Sequence, residues 1–206
     1  MISSKKAKMF LLIFGIIIIG AVVIYGAGLL KTREPIQNQF MMQCKHFAAK
    51  NPTLDFTFEY PKTGWTPFES SGRSEKYDRV SLRGPMDKKT KFTTIIFTTV
   101  RPLKAGKTAS DLLKDYLAVD SNLSKFEASH EQAMNVGGEK AFSAFSKYEA
   151  IPSYDLRVPR ALFKKQMVFV VRNGHSYEFE LNTFASKFDA YAQVLKHVLE
   201  TFRFKK

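Results

Sequence analysis

Four groups of residues in this 206-residue chain are spaced so that they could do chemistry. Glu178 and Glu180 lie two apart in MVFVVRNGHSYEFEL, so on a strand both carboxylates leave from one face, as paired acid–base catalysis requires. Lys165 and Arg172 are close enough in register to neutralise them as charge partners instead. The stretch RPLKAGKTASD, residues 101–111, follows a β-rich run and leads into a helix, which is the setting of a phosphate-binding loop. Such a loop needs its first glycine to curl backbone N–H groups round phosphate. Arg101 followed by Pro102 stands at that position, so the stretch reads as a basic loop with a helix cap.

Met41, Met42, Cys44 and His46 offer thioether, thiol and imidazole, ligands suited to copper or zinc. Neighbouring positions on a helix diverge by about 100°, which takes Met42 and His46 off the stripe holding Met41 and Cys44. The four histidines, His46, His130, His175 and His197, are scattered without metal-ligand spacing. With one cysteine and no Gly-x-Ser-x-Gly elbow, no nucleophile and base are assembled locally. Neither a catalytic residue nor a cofactor or metal ligand is assigned from the sequence.

The fourth group is basic. Lys88, Lys89 and Lys91 share one turn, Arg101, Lys104 and Lys107 one loop, and Arg157, Arg160, Lys164 and Lys165 surround the start of one strand. The net charge is +13, and setting aside Lys5, Lys6 and Lys8 leaves about +10 for residues 31–206. An excess of that size favours anionic partners. Lysines at loops and strand ends also keep a domain soluble and blunt sheet edges. The functional expectation is that two or more of these clusters converge and hold the domain against anionic headgroups, an acidic envelope surface or an acidic protein. Nucleic acid is not expected, because the lysines interleave with phenylalanines on no recognisable nucleic-acid module.

The elements that position these residues begin with MISSKKAKMFLLIFGIIIIGAVVIYGAGLL. After the basic tail 1–8, residues 9–30 carry no charge. As a helix they span roughly 33 Å at about 1.5 Å per residue, enough for a hydrocarbon core of about 30 Å. The apolar stretch of a cleavable signal peptide is shorter, about 7–15 residues, so despite the small residues Gly26-Ala27-Gly28 the span is read as an uncleaved anchor. The short basic tail predicts that it stays in the cytoplasm, with the large domain outside. Ile36, Phe40, Met41, Cys44, Phe47 and Ala48 then form one helical stripe, predicting a juxtamembrane helix or linker over 31–51. Residues 52–206 form the folded domain.

Within that domain Phe56, Phe58 and Tyr60 alternate with Thr57 and Glu59 as in a half-buried strand, and Pro61–Gly64 read as a turn before Trp65 and Phe68 open the next. Residues 79–85 and 92–100 read as strands. Residues 110–123 read as a helix, with Thr108 and Asp111 as a capping box, and 126–148 as two strands around Gly137-Gly138. Asn173-Gly174 predicts a tight hairpin that sets Val170 opposite Tyr177 and Val168 opposite Phe179. Phe169 and Met167 then face Glu178 and Glu180 on the other side, so the sheet is covered on both faces. Phe188, Tyr191, Val194, Leu195, Val198, Leu199 and Phe202 predict a last helix over 186–202. Hairpins throughout with two helices mean α+β, an antiparallel sheet flanked by helices.

In FEYPKTGW (58–65) the chain resembles the opening "aromatic, x, Tyr-Pro, x, x, Gly-Trp" of PsbP-like and DcrB-like domains. VGGEKAF (136–142) fits their central glycine turn, and VLETFRF (198–204) their closing helix. The resemblance covers roughly residues 53–204 and implies a PsbP-like sandwich of α, β and α layers. Such domains include extrinsic photosystem subunits, bacterial envelope lipoproteins and a Ran-binding protein, mostly binding or assembly modules. No site residues transfer by resemblance. The chain departs from the lipoprotein members in its long anchor and in lacking a lipid-attachment cysteine. The reading is a single-pass protein of the bacterial inner (cytoplasmic) membrane whose domain, outside the cytoplasm, is a non-catalytic binding or assembly module with a protein partner or an anionic surface. The alternatives are a small-ligand or metal-binding carrier, and an enzyme whose site is assembled from distant residues.

Overall fold

The computed structural model describes residues 43–72, 76–152 and 158–205, all within one compact unit, Met41–Lys206. The apolar span expected at 9–30, residues 31–42 of the expected juxtamembrane helix, and Arg157 lie outside the described residues. Among the described residues no helix is long and apolar enough to cross a membrane.

The alternating segments form strands β2 (Phe56–Pro61), β3 (Thr66–Gly72), β4 (Tyr77–Met86), β5 (Thr93–Pro102), β6 (Ser124–Ala128), β7 (Gln132–Val136), β8 (Glu139–Ala150), β9 (Ala161–Arg172) and β10 (His175–Phe184). A short strand, β1 (Cys44–Ala48), precedes them and another, β11 (Arg203–Phe204), follows. Helix α1 is Ala109–Asp120, and α2, Phe188–Thr201, follows a single 3-10 turn. Every pairing is antiparallel. The large sheet runs β3-β4-β5-β10-β9-β8-β6, with β7 sharing the outer edge of β8, and a second sheet runs β1-β2-β11.

One expectation is corrected at β1. The helical stripe was read through Cys44, Phe47 and Ala48 to a stop near Asn51-Pro52, yet 44–48 is a strand. The same residues also alternate, and the partner decides between the two periods. Phe47 is buried with its ring stacked on Phe58 at 4.8 Å, a contact that pairing with β2 supplies.

Residues directly opposite one another in the ladder share a face. One face of the large sheet carries Val80, Leu82, Ile96, Val168, Val170, Tyr177, Phe179 and Leu181, all buried. Phe56, Phe58 and Phe202 cover it from the small sheet and the end of α2, with Phe179 edge-on to Phe202 at 5.0 Å. From α2 come Phe188, Val194, Leu195, Val198 and Leu199, which completes the main core. The hairpin register is as the Asn173-Gly174 turn predicts, with Val170 opposite Tyr177 and Phe169 opposite Glu178. Positive φ at both turn residues, 48° and 72°, is what such a turn demands.

The octapeptide FEYPKTGW is strand, bend and the start of β3. Trp65 is buried, edge-on to Tyr191 at 5.8 Å. It packs against Gly84, where a Cβ would come within 2.7 Å of the indole ring.

On the opposite face α1 packs mainly over β8 and β9, with Tyr116 reaching Glu180 of β10. Its capping box is formed: the Thr108 hydroxyl accepts from the Asp111 N–H, and Asp111 Oδ2 accepts from the Thr108 N–H. Leu113 and Ala109 meet Ala144, Met167 and Phe169 in a second, smaller core. The β3–β5 half of this face lies beyond those strands.

Candidate functional site

The half of the sheet beyond α1 is a rack of arginines and aromatic rings. On β4 the alternation that sends Val80 and Leu82 into the core turns Arg79, Ser81 and Arg83 outward, beside Phe68 of β3 and Phe97, Thr99 and Arg101 of β5. The Arg79 guanidinium lies 4.7 Å from the ring centres of both Tyr77 and Phe97, and its Nε donates to Thr99 Oγ1 at 2.9 Å. Arg83 lies 4.9 Å over Phe68, and Arg101 5.4 Å from Tyr77. Phe68 is 52% exposed, and Arg83 is exposed with it. A guanidinium beside aromatic rings can still offer its terminal N–H groups to a carboxylate. Arg79 and Arg83 form no ion pair with a carboxylate among the described residues.

Between this rack and α1 runs a layer of buried charge. Arg101 meets Glu178 at 2.6 Å. Tyr116 of α1 donates to Glu180, and Lys165 donates to Tyr116 Oη at 3.2 Å and to Asp120 Oδ2 at 2.8 Å. Burial pushes Glu178 above the usual carboxylate range, with the Arg101 guanidinium pulling the other way. Burial also raises the Tyr116 phenol, and the Glu180 charge adds to that. Glu178 and Glu180 thus have partners, but not those the sequence named. Lys165 serves Asp120, and Arg172 lies 3.8 Å from Glu139 and 4.3 Å over the Phe204 ring.

The basic residues singled out by sequence fall at two ends of the sheet. Lys88, Lys89 and Lys91 are exposed on the β4–β5 turn, and Arg160 is exposed at the start of β9. Lys164 lies at the same end: it pairs with Thr183, whose hydroxyl bonds Thr94 just past that turn. Lys164 is held 4.2 Å over the Phe188 ring and 3.8 Å from Asp189. Arg101, Lys104 and Lys107 lie at the far end of β5, roughly 30 Å away at about 3.3 Å per residue, and Lys107 is tied to Asp115 at 2.9 Å. Lys165 requires a correction. It is 5% exposed and its ammonium is taken by Asp120, so it is a structural cation and leaves the anion-binding set. Arg79 and Arg83 were missed, although the alternation in RVSLR carried the signal.

Two further features lie away from this layer. A cleft of about 430 Å³ lies between α2 and strands β7–β9, lined by Met134, Phe145, Lys164, Gln166 and Phe188 among others. It opens on the face of the sheet opposite to Glu178 and Tyr116. Beside β2, three distant side chains meet: Cys44, Glu59 and His197 present ligand atoms that all lie within 4.8 Å of one another. Burial and the Glu59 carboxylate raise the Cys44 thiol, so this cysteine is not an activated nucleophile.

No protein-family model matches the chain, and no curated protein matches it. Among solved structures, cyanobacterial PsbP (CyanoP) from Synechocystis sp. PCC 6803 superposes with a TM-score of 0.53 at 15% identity, covering 78% of this chain and 92% of that one. The chain therefore has a PsbP-like α+β fold. Two other structures superpose with lower scores. LpqN, involved in cell envelope biogenesis of Mycobacterium tuberculosis, gives 0.49 at 14% identity over 80% of this chain and 91% of that one. The Saccharomyces cerevisiae Ran-binding protein Mog1p gives 0.48 at 12% identity over 79% and 96%.

Proposed function

We propose that this protein is a non-catalytic binding or assembly module, anchored by residues 9–30 in a bacterial cytoplasmic membrane with its domain outside the cytoplasm, and that it docks an acidic protein segment. The observation that carries the reading is the half-sheet, left uncovered by helix among the described residues, on which Arg79, Arg83 and Arg101 are racked over Tyr77, Phe97 and Phe68. Arginine and aromatic residues are what interface hot spots are enriched in. Stacking keeps the guanidinium groups ordered before a partner arrives, which lowers the entropy cost of binding. A binding role also suits the division of features across the sheet. Glu178 is held in an ion pair with Arg101 and Tyr116 in a hydrogen bond to Glu180, while the cleft lies on the other face.

A second reading rests on Lys88, Lys89, Lys91 and Arg160, which are exposed together at one end of the sheet and could rest on anionic headgroups. One experiment separates the two. The purified full chain in detergent micelles is titrated with poly-L-glutamate at low salt. The acidic-segment reading expects R79E/R83E to abolish binding and K88E/K89E/K91E to leave most of it, although the lysine reversal removes more positive charge. The opposite ranking moves the docking site to the lysine turn, and equal losses leave only bulk charge.

A further inference from the structure

The cluster of Cys44, Glu59 and His197 is drawn from three elements. Cys44 opens β1, Glu59 lies on β2 and His197 is in the penultimate turn of α2. Cys44 Sγ lies 3.3 Å from His197 Nε2, and His197 Nε2 lies 3.5 Å from Glu59 Oε2. The cluster is braced by Thr201, whose hydroxyl donates to the His197 carbonyl at 2.8 Å and accepts the Glu59 N–H at 3.0 Å. One side chain thus ties the turn that carries the histidine to the strand that carries the carboxylate.

Two arrangements can bring a thiol, an imidazole and a carboxylate together. In a nucleophilic triad the histidine spans its partners, with one ring nitrogen at the nucleophile and the other at the carboxylate. Here both partners meet the same nitrogen, Nε2, so the ring cannot relay a proton between them. In a metal site, by contrast, all ligand atoms converge on one point. Bond lengths of about 2.3 Å to sulfur, about 2.0 Å to imidazole and about 2.1 Å to carboxylate give tetrahedral edges of roughly 3.3–3.6 Å. The Cys44–His197 and His197–Glu59 edges, 3.3 and 3.5 Å, stand at that spacing.

We infer that Cys44, Glu59 and His197 form a preassembled site for a zinc-class divalent cation, with a fourth position left for water or for His46. His46 lies directly opposite Glu59 in the β1–β2 ladder, on the same face. The donor set of thiolate, imidazole and carboxylate suits zinc. Binding replaces the Cys44 thiol proton by the cation, the proton leaving to solvent. The Glu59 side chain is 47% exposed, which gives the ion a path, while that of His197 is 17% exposed and held in place. Bound metal would pin α2 and β1 to β2, coupling the segment that leads out of the N-terminal region to the last helix. The site is independent of the arginine rack and stands or falls separately.

Cys44 is the only cysteine in the chain, so any thiolate-to-metal charge transfer has a single source. The reduced full chain in detergent micelles is titrated with cobalt(II) alone and then with zinc. The expected result is a near-ultraviolet thiolate–cobalt band that saturates at one equivalent, is displaced by zinc and is absent in C44S. E59Q and H197Q should each weaken cobalt binding by at least about tenfold, the lower end of what altering even the outer partners of ligands costs. Should H197Q fail to fold, E59Q, at the solvent-exposed rim, carries the test. Absence of the band at one equivalent, or an affinity that E59Q leaves unchanged, overturns the site.

Discussion

Lys165 shows how one residue's role depends on its burial rather than its charge. It sits at the last turn of α1, where Asp120 would otherwise place a negative charge at the negative end of the helix dipole. The pair is buried on both sides, with side chains 6% and 11% exposed. Asp120→Ala should therefore cost about 3–5 kcal/mol in urea unfolding, because it strands a buried ammonium, while the double change D120L/K165M should recover much of it. Unchanged stability of D120A would mean that Lys165 reaches solvent. The tyrosines give a pH signature. Burial holds the Tyr148 phenol up at about 12 and raises Tyr116 and Tyr177 as well. Above about pH 10, the ordinary tyrosine value, the unfolded chain gives up protons that the folded one keeps, so stability falls as pH rises. The urea midpoint should be lower at pH 11 than at pH 9, and Y148F should lessen the drop. The sequence made the basic residues legible as charges, but not Lys165 as a buried one. Nor could it show Cys44 meeting His197 across 153 positions, since local spacing carries no trace of that contact.

Elements whose period agreed with their partners were legible in advance. The last helix is the clearest: Phe188, Leu195 and Leu199, expected on its buried stripe, are all within the core. Leu195→Asp should unfold the domain, since a buried charge without a partner costs about 3 kcal/mol or more. A cooperatively melting L195D of wild-type stability in calorimetry would contradict the packing described for α2. The capping box at Thr108 and the hairpin at Asn173-Gly174 were readable for the same reason, because local chemistry and final structure coincide there. Residues 44–48 were not, because their apolar positions fit both a helix and a strand and only the distant ring of Phe58 chooses between them. The two-residue strand β11 is too short to leave a period at all, and it exists because Phe56 of β2 offers a free edge.

For the whole molecule, the PsbP-like fold places two kinds of surface on one sheet. One face carries the small sheet and α2, with a cleft between α2 and β7–β9, and on the other, among the described residues, α1 packs mainly over β8 and β9. Which half stays open depends on where α1 lands, and strand alternation alone could not show that. The open half carries the arginine rack, the surface proposed to dock a partner with acidic character. The most direct measurement places a photocrosslinking amino acid at Phe68 in the full-length chain in intact membranes, with Val119, 72% exposed on α1, as the matched control position. The account predicts a discrete protein adduct from position 68 that is absent from position 119, contains an acidic segment at the crosslinked site and disappears in R79E/R83E. Equal adducts from both positions, or an adduct at 68 that the arginine reversal leaves untouched, would contradict it.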